Sequence, residues 1–161
     1  PVKVMVDNLL NKDDGTADQP VADNMVELTN KLGLRNVRQY LMANDKIGEI
    51  MVVEGRVANE FDEAREMIRL EVELYSASGQ LLLSKSQLAG TSVTPFQLQV
   101  LDKEELEQAL NNRLDQITNN SNIQPGETVP FMIVVYNPPE EATDFGIRIT
   151  EARRPQPAAA E

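Results

Sequence analysis

The amino-acid sequence predicts a mainly β domain, and three observations lead to this prediction. Several short stretches alternate apolar and polar residues, as half-buried strands do. Turn-forming residues separate these stretches. The chain has 161 residues, of which 41% are hydrophobic, and this is enough for one domain with its own core. We therefore expect one β-sandwich built from short antiparallel strands.

The clearest strand signal lies in the middle of the chain. Residues 68–74 place Ile, Leu, Val and Leu at alternate positions, with charged residues between them. A return strand is expected at residues 81–88. Gly79 in the intervening loop can adopt the positive φ of a hairpin turn. The two segments are therefore predicted to pair as an antiparallel hairpin.

Further strand signals occur on both sides of this hairpin. Apolar residues alternate in residues 50–59 and 145–150, and residues 37–42 form a shorter candidate. Residues 129–136 are almost continuously apolar, which predicts a central strand that is buried on both faces. A Pro-Gly turn at residues 125–126 precedes that strand. Five to seven short strands of this kind are typical of an immunoglobulin-like β-sandwich.

Two segments follow a helical rather than a β pattern. Residues 23–32 predict a short N-terminal helix, with Gly33 at its C-cap. Residues 102–117 predict an inserted amphipathic helix that begins with a capping box. We expect this helix to cover an edge or an opening of the sandwich with one apolar face. That face consists of Leu106, Ala109, Leu110, Leu114 and Ile117.

These elements divide the chain into three parts. Residues 1–35 are expected to be an N-terminal extension, made of a loop and the short helix. Alternating valines at its very start give a weak signal for either a strand or a tail. Residues 36–152 form the predicted β-sandwich domain. Residues 153–161 are rich in Pro and Ala, and they are expected to be a disordered tail.

Composition argues against several classes of function. The 26 acidic residues outnumber the 15 basic ones, which gives a net charge of −11. Nucleic acids and anionic membrane surfaces attract basic proteins, so neither is an expected partner. The chain has no Cys and no His, and it has no glycine-rich phosphate-binding motif. We therefore predict no enzyme activity, no cofactor and no catalytic, cofactor-binding or metal-binding residue.

Acidic side chains leave a few alternatives open. The loop at residues 11–15 does not match the calcium-binding EF-hand pattern, and a solvated loop is the preferred interpretation. A non-standard calcium site there would use Asp13, Asp14 or Asp18. Carboxylate pairs elsewhere would be needed for glycoside hydrolysis or carbohydrate binding. Closely spaced acidic residues are numerous, and they include Glu60, Asp62 and Glu63, and then Glu140 and Glu141.

The aromatic residues and methionines are interpreted mainly as core. Aromatic residues make up only 4% of the chain, so they offer few platforms for sugar rings. Phe131, Tyr136 and Phe145 fall in predicted strands and are expected at or near the core. The same holds for Met25, Met42, Met51, Met67 and Met132.

Several motifs resemble a known family. Residues 48–59 (GEIMVVEGRVAN) are similar to the opening of the domain of unknown function numbered 3426. Agreement continues in the expected order through three further stretches. These are VELY at 72–75 followed by Gly79, NNRL at 111–114, and IQPG at 123–126 leading to PFM at 130–132. The resemblance covers residues 36–152.

The resemblance implies a cellular context. Members of that family carry an N-terminal zinc ribbon and one transmembrane helix before this domain. It therefore implies a membrane-anchored bacterial protein whose sandwich lies on the extracytoplasmic face, in the periplasm. Contact with the membrane would occur only through a segment that is absent from this sequence. The family supplies no catalytic residues.

Together these arguments predict a non-catalytic protein-interaction module of the cell envelope. Its expected partner is another envelope protein, bound by strand addition at an exposed sheet edge or through a loop surface. A structural spacer or homo-oligomerisation domain is one alternative, and a carboxylate-based enzyme or carbohydrate binder is another. The sequence leaves the oligomeric state open.

Overall fold

Seven strands and three short helices make up the part of the chain that the structure, a computed structural model, describes: residues 3–6 and 31–155. The strands are β1 (Lys3–Val6), β2 (Leu32–Asn44), β3 (Gly48–Asn59), β4 (Glu66–Ser76), β5 (Leu81–Leu88), β6 (Thr128–Tyr136) and β7 (Ala142–Arg153). The helices are α1 (Pro95–Val100), α2 (Lys103–Leu110) and α3 (Arg113–Asn119).

The strands form two sheets that face each other across the main core. One sheet has the order β1-β7-β4-β5, and the other has the order β2-β3-β6. Neighbouring strands are antiparallel, apart from the parallel pair of β1 and β7. The predicted β-sandwich is therefore confirmed. Its core takes alternate residues from both sheets, including Met51, Val53, Leu70, Val72, Phe131, Ile133, Phe145 and Ile147.

A second apolar cluster lies on the other face of the three-stranded sheet. Ile50 and Val52 of β3 and Met132 and Val134 of β6 point to this outer face, because side chains alternate along a strand. Helices α1 and α2 cover these side chains. They contribute Leu98, Leu106 and Leu110, all of which are buried. The helices thus form a third layer over a sheet face, and α2 also reaches the side where β5 and β6 meet, in line with the expected cover of an edge.

This third layer explains why strand β6 is buried on both faces. The sequence predicted a central strand buried on both faces, and residues 131–135 are indeed buried. However, β6 pairs only with β3 and is an edge strand of its sheet. Helices bury its outer face, although the strand does not lie in the centre of its sheet. Pro130 is tolerated in this strand because an edge strand does not need every backbone N–H for pairing.

The predicted helix at residues 102–117 is divided into two helices. Helix α2 ends at Leu110, and the Asn112 side chain caps α3 by accepting a hydrogen bond from the Asp115 N–H. This break changes the phase of the apolar face. Leu106 and Leu110 are buried, whereas Leu114 is 71% exposed and Ile117 is 45% exposed. The prediction that one apolar face continues through Leu114 and Ile117 is therefore wrong.

Polar residues turn inward on α3 instead. Asn120, which directly follows α3, is fully buried. Its side-chain amide donates to the carbonyls of Ile68 and Ala89, and its oxygen accepts from the Ile68 N–H. Gln116 is also buried and donates to the Leu110 carbonyl. The Asn120 amide thus holds the end of α3 against the open end of the β4–β5 hairpin, and the Gln116 amide joins α3 to α2.

Helix α1 was not predicted from the sequence. Thr94 is its N-cap, Pro95 occupies its first turn, and Gln97 completes a capping box. Asn44, at the end of β2, joins this helix to the sheet. Its side-chain amide donates to the carbonyls of Leu98 and Leu101, at 2.7 and 2.8 Å. The end of β2 is thereby fixed beneath α1.

The remaining predictions concern turns and the ends of the chain. Gly79 and Gly126 adopt φ of +90° and +87°, which confirms the turn positions. Most of the predicted helix at residues 23–32 and most of the tail at residues 153–161 lie outside the described residues. Gly33, expected at a helix C-cap, lies inside β2. None of the helices between residues 31 and 155 has the length and hydrophobicity that a membrane crossing requires.

The division of residues 102–117 generates a stability prediction. Leu106→Ala should lower the free energy of unfolding by about 2–4 kcal/mol, because it leaves a cavity between α2 and the sheet. Leu114→Ala, the same chemical change on α3, should cost less than about 0.5 kcal/mol. Urea unfolding of both variants measures the difference. Equal losses would contradict the observed orientation of the two helices.

Candidate functional site

One long side of the sandwich is closed by contacts between its two sheets. Strands β5 and β6 approach each other there without forming a regular strand pair. The backbone N–H of Gly90 donates to the Pro130 carbonyl at 2.8 Å. Lys85 Nζ reaches from β5 to the Val134 carbonyl of β6 at 2.7 Å. Two outward carbonyls of β6, those of Pro130 and Val134, therefore have partners across the gap between the sheets.

A charged cluster reinforces this closed side. Lys85 Nζ donates to Glu107 Oε2 at 2.7 Å, and the Tyr136 hydroxyl donates to the same oxygen. The Lys85 ammonium lies 4.4 Å from the centroid of the Tyr136 ring, and that of Lys103 lies 5.2 Å from it. Because Glu107 belongs to α2, Lys85 to β5 and Tyr136 to β6, the cluster joins all three layers.

The electrostatics of this cluster favour a structural role. Burial opposes ionisation of Glu107, but hydrogen bonds from Lys85 and Tyr136 outweigh it and lower the pKa of Glu107. Burial, followed by the bond to Glu107, raises the pKa of Tyr136 well above its ordinary value. A carboxylate with a lowered pKa is a weak base, and a tyrosine with a raised pKa is a weak acid. The cluster thus has the properties of a link between layers.

The opposite side of the sandwich ends in β2, and hydrogen-bond alternation determines which way its backbone points. The carbonyls of Pro130 and Val134 point away from β3, so the odd-numbered residues of β6 bond to β3. Backbone groups on an antiparallel strand alternate between its two neighbours. In β3 the even-numbered residues therefore bond to β2. These are Ile50, Val52 and Glu54, which pair with Met42, Tyr40 and Arg38.

The N–H and C=O groups of Gln39, Leu41 and Ala43 consequently point away from the sheet. Within residues 31–155, these groups form no backbone hydrogen bond to another element. The register of β2 is regular from Arg38 to Asn44, beyond the bulge that precedes Arg38. We call residues 39–43 the open edge. It is a regular strand segment with three successive outward pairs of donors and acceptors.

The open edge lacks a common protection against pairing. Edge strands are usually blunted by charged side chains, prolines or bulges. Residues 39–43 read Gln-Tyr-Leu-Met-Ala, without a charge or a proline. The nearest charge, Arg38, is ion-paired with Glu54 of β3. An added strand would therefore meet no unpaired charge on the open edge itself.

A depression lies on each face of the sheet beside the open edge. On the helical face, Arg38, Tyr40 and Met42 with Pro95 of α1 line a shallow, open depression of about 460 Å³, which we call the outer groove. Leu41 points to the other face and is 46% exposed. There a depression of about 180 Å³, the inner groove, is lined by Leu41, Glu49, Met51, Pro138, Pro139, Glu140 and Ala142.

Two of the acidic residues considered from the sequence, Glu60 and Glu63, form ion pairs with different arginines. Glu60 forms an ion pair with Arg35, and Glu63 forms ion pairs with Arg65 and Arg154. The Arg65 guanidinium also stacks on the Phe61 ring, 3.6 Å from its centroid. Among the described residues, no group of three or more acidic side chains is placed to hold a metal ion. Asp13, Asp14 and Asp18 lie outside the described residues.

Aromatic and methionine side chains divide between core and surface. Phe131 and Phe145 are buried, as expected, and Met51 and Met132 are buried as well. Tyr136 lies in the charged cluster at the closed side. Met42 is only partly buried and lines the outer groove. The sequence contained no signal for either groove, because each combines residues that are distant along the chain.

Comparison with known proteins agrees with the resemblance seen in the sequence motifs. The family described as "Protein of unknown function (DUF3426)" matches residues 32–149. The chain belongs to this family. No curated protein and no solved structure matches the chain. The match spans the sandwich from the first residue of β2 into β7, and it includes the open edge and both grooves.

The charged cluster generates a prediction about acid stability. Because the pKa of Glu107 is lowered by folding, its contribution is present above its ordinary pKa of 4.5 and is lost as pH falls through the lowered value. Glu107→Gln should therefore destabilise the domain most near neutral pH, and less as the pH falls below 4.5. Urea unfolding across this pH range measures the effect.

Glu104→Gln is the matched control, because Glu104 is an exposed acid on the same helix. This variant should show a much smaller dependence on pH. A loss for Glu107→Gln that stays constant down to strongly acidic pH would show that the carboxylate does not link the layers in its ionised form.

Proposed function

We propose that the domain is a non-catalytic protein-binding module that accepts an extended segment of a partner as an additional strand on β2. The observation that carries this proposal is the open edge, with its outward backbone groups at Gln39, Leu41 and Ala43. In strand addition, such outward N–H and C=O groups form main-chain hydrogen bonds with the partner segment. These bonds replace the bonds that the groups otherwise make to water. The binding segment would extend the sheet to four strands.

The two grooves support the same mode of binding. Successive side chains of a strand point to opposite faces of its sheet. A segment paired with residues 39–43 would therefore direct alternate side chains into the outer groove and the inner groove. Main-chain bonds would supply affinity and the grooves would supply selectivity. Surface apolar side chains scattered singly, such as Leu114, lack this combination of backbone and side-chain sites.

Self-association through β2 is the second candidate, because the same edge can pair with the β2 edge of another copy. It would make the domain a homo-oligomerisation unit. The net charge of −11 opposes the close approach of two copies. A partner of opposite charge does not meet this repulsion, so a different protein is the favoured occupant.

The cellular setting is also part of the proposal. The family resemblance implies a bacterial protein anchored in a membrane, with this domain on the extracytoplasmic side. The partner would then be another protein of the cell envelope. This part rests on the resemblance alone, whereas the binding mode rests on the geometry of β2.

Ala43→Pro tests the binding mode. It removes one outward N–H from the open edge, and position 43 does not donate to β3. Partners are captured from an envelope extract of the source bacterium by chemical cross-linking and identified by mass spectrometry. We expect wild-type protein to capture a specific partner and Ala43→Pro to bind it at least roughly tenfold more weakly.

Ala43→Val is the matched control, because it enlarges the side chain but keeps the N–H. It should retain the partner. Thermal unfolding shows whether each variant keeps its fold. A partner that binds Ala43→Pro and wild type equally well would place the binding surface elsewhere, and recovery of only the domain itself would favour self-association.

A further inference from the structure

We infer that the segment bound at β2 carries a Lys or Arg directly next to a large apolar residue, with the basic side chain in the inner groove and the apolar one in the outer groove. This inference rests on the proposed function and specifies its ligand. It follows from the different chemistry of the two grooves, which lie at the same register of β2, beside Tyr40, Leu41 and Met42.

The lining of the inner groove combines apolar and acidic side chains. Leu41, Pro138 and Pro139 are among its apolar residues, and Glu49 and Glu140 are its two acidic residues. Both glutamates are exposed, and neither forms an ion pair within residues 31–155. A long basic side chain matches this lining, because its aliphatic part can pack on apolar surface while its charge pairs with a carboxylate.

The outer groove has a different character. Tyr40, Met42 and Pro95 present apolar surface, and the one cation, Arg38, is already paired with Glu54. The Tyr40 hydroxyl also donates to Glu54. The groove thus offers apolar contact area without an unpaired charge. A leucine, isoleucine or phenylalanine side chain fits this surface, and a charged one would lose hydration without gaining a partner.

The strand geometry joins the two preferences into one motif. Neighbouring residues of an added strand face opposite sides of the sheet, so the basic and the apolar residue must be adjacent in the partner sequence. The net charge of −11 also favours a basic residue in the bound segment, because it attracts basic segments over a longer range. The expected ligand is therefore a basic-apolar pair within an extended segment.

Selection from a displayed library of random short peptides tests this inference. Wild-type protein is used for selection, and Ala43→Pro serves to remove peptides that do not depend on the open edge. We expect the enriched peptides to contain Lys or Arg next to a large apolar residue. The double variant Glu49→Lys with Glu140→Lys should bind these peptides at least roughly tenfold more weakly and should select acidic residues instead.

Asp62→Lys with Asp115→Lys is the control for net charge. Both aspartates are exposed, and Asp62 follows β3 at the end of the strand opposite Glu49. This variant has the same total charge as the test variant and should keep the basic-apolar preference. If it loses the preference to the same extent, the effect comes from net charge rather than from the inner groove, and the inference is wrong.

Two further results separate this inference from the function on which it rests. Peptides that depend on the open edge but show no basic residue would overturn the inference and leave strand addition standing. The absence of any peptide whose binding is lost in Ala43→Pro would contradict strand addition itself, and the inference would be overturned with it.

Discussion

Apolar side chains on both faces of β3 and β6 have to be kept from water, and the rest of the architecture follows from this requirement. Odd-numbered residues such as Met51 and Ile133 are covered by the second sheet. Even-numbered residues such as Val52 and Val134 need a separate cover, which α1 and α2 provide. Two residues with polar side chains, Asn44 and Asn120, fasten the helical segment at its two ends by buried hydrogen bonds. The domain is thus a three-layer structure.

The position of the helices makes the two sides of the sandwich unequal. Helix α2 lies where β5 and β6 meet, and Glu107 can therefore reach both Lys85 and Tyr136. Lys85 also donates to the outward carbonyl of Val134, and the Gly90 N–H donates to that of Pro130. Helix α1 packs on the outer face of β2, where Asn44 bonds to it and Pro95 lies beside Tyr40 and Met42. The outward backbone groups of residues 39–43 have no backbone partner within residues 31–155. The helices thus bury a face of this sheet, and its β2 edge keeps the geometry that an extended ligand requires.

Local patterns in the sequence predicted the parts of this fold that depend on neighbouring residues. The alternation in residues 68–74 predicted β4 and its hairpin, and Gly79 and Gly126 occupy the expected positive-φ turns. Sheet order depends on contacts between distant residues. For this reason the apolar run at residues 129–136 predicted a central strand, and this prediction was wrong. Strand β6 is an edge strand, and its outer face is covered by helices. Helical periodicity also continued through Asn111 and Asn112, where one helix in fact ends and the next begins.

The candidate site depended even more on long-range information. The uncharged run at residues 39–43 was visible in the sequence, but no local pattern shows whether a strand lies at an edge. The outward direction of Gln39, Leu41 and Ala43 follows only from the pairing of three strands. The inner groove likewise brings Leu41 together with residues 138–140, nearly a hundred positions away. The sequence offered acidic residues only as possible catalytic or carbohydrate-binding groups. In the structure, Glu140 lies beside the apolar residues of the inner groove.

Amide hydrogen exchange of β2, measured by NMR on the unliganded domain, tests the central claim most directly. Exchange reports whether each N–H has a hydrogen-bond partner. Tyr40 and Met42, which bond to β3, should be protected, whereas Gln39, Leu41 and Ala43 should exchange much faster. This alternation would establish an edge that is available for an added strand. Equal protection along the whole of residues 39–43 would show that the edge already has a partner, and it would contradict strand addition on β2.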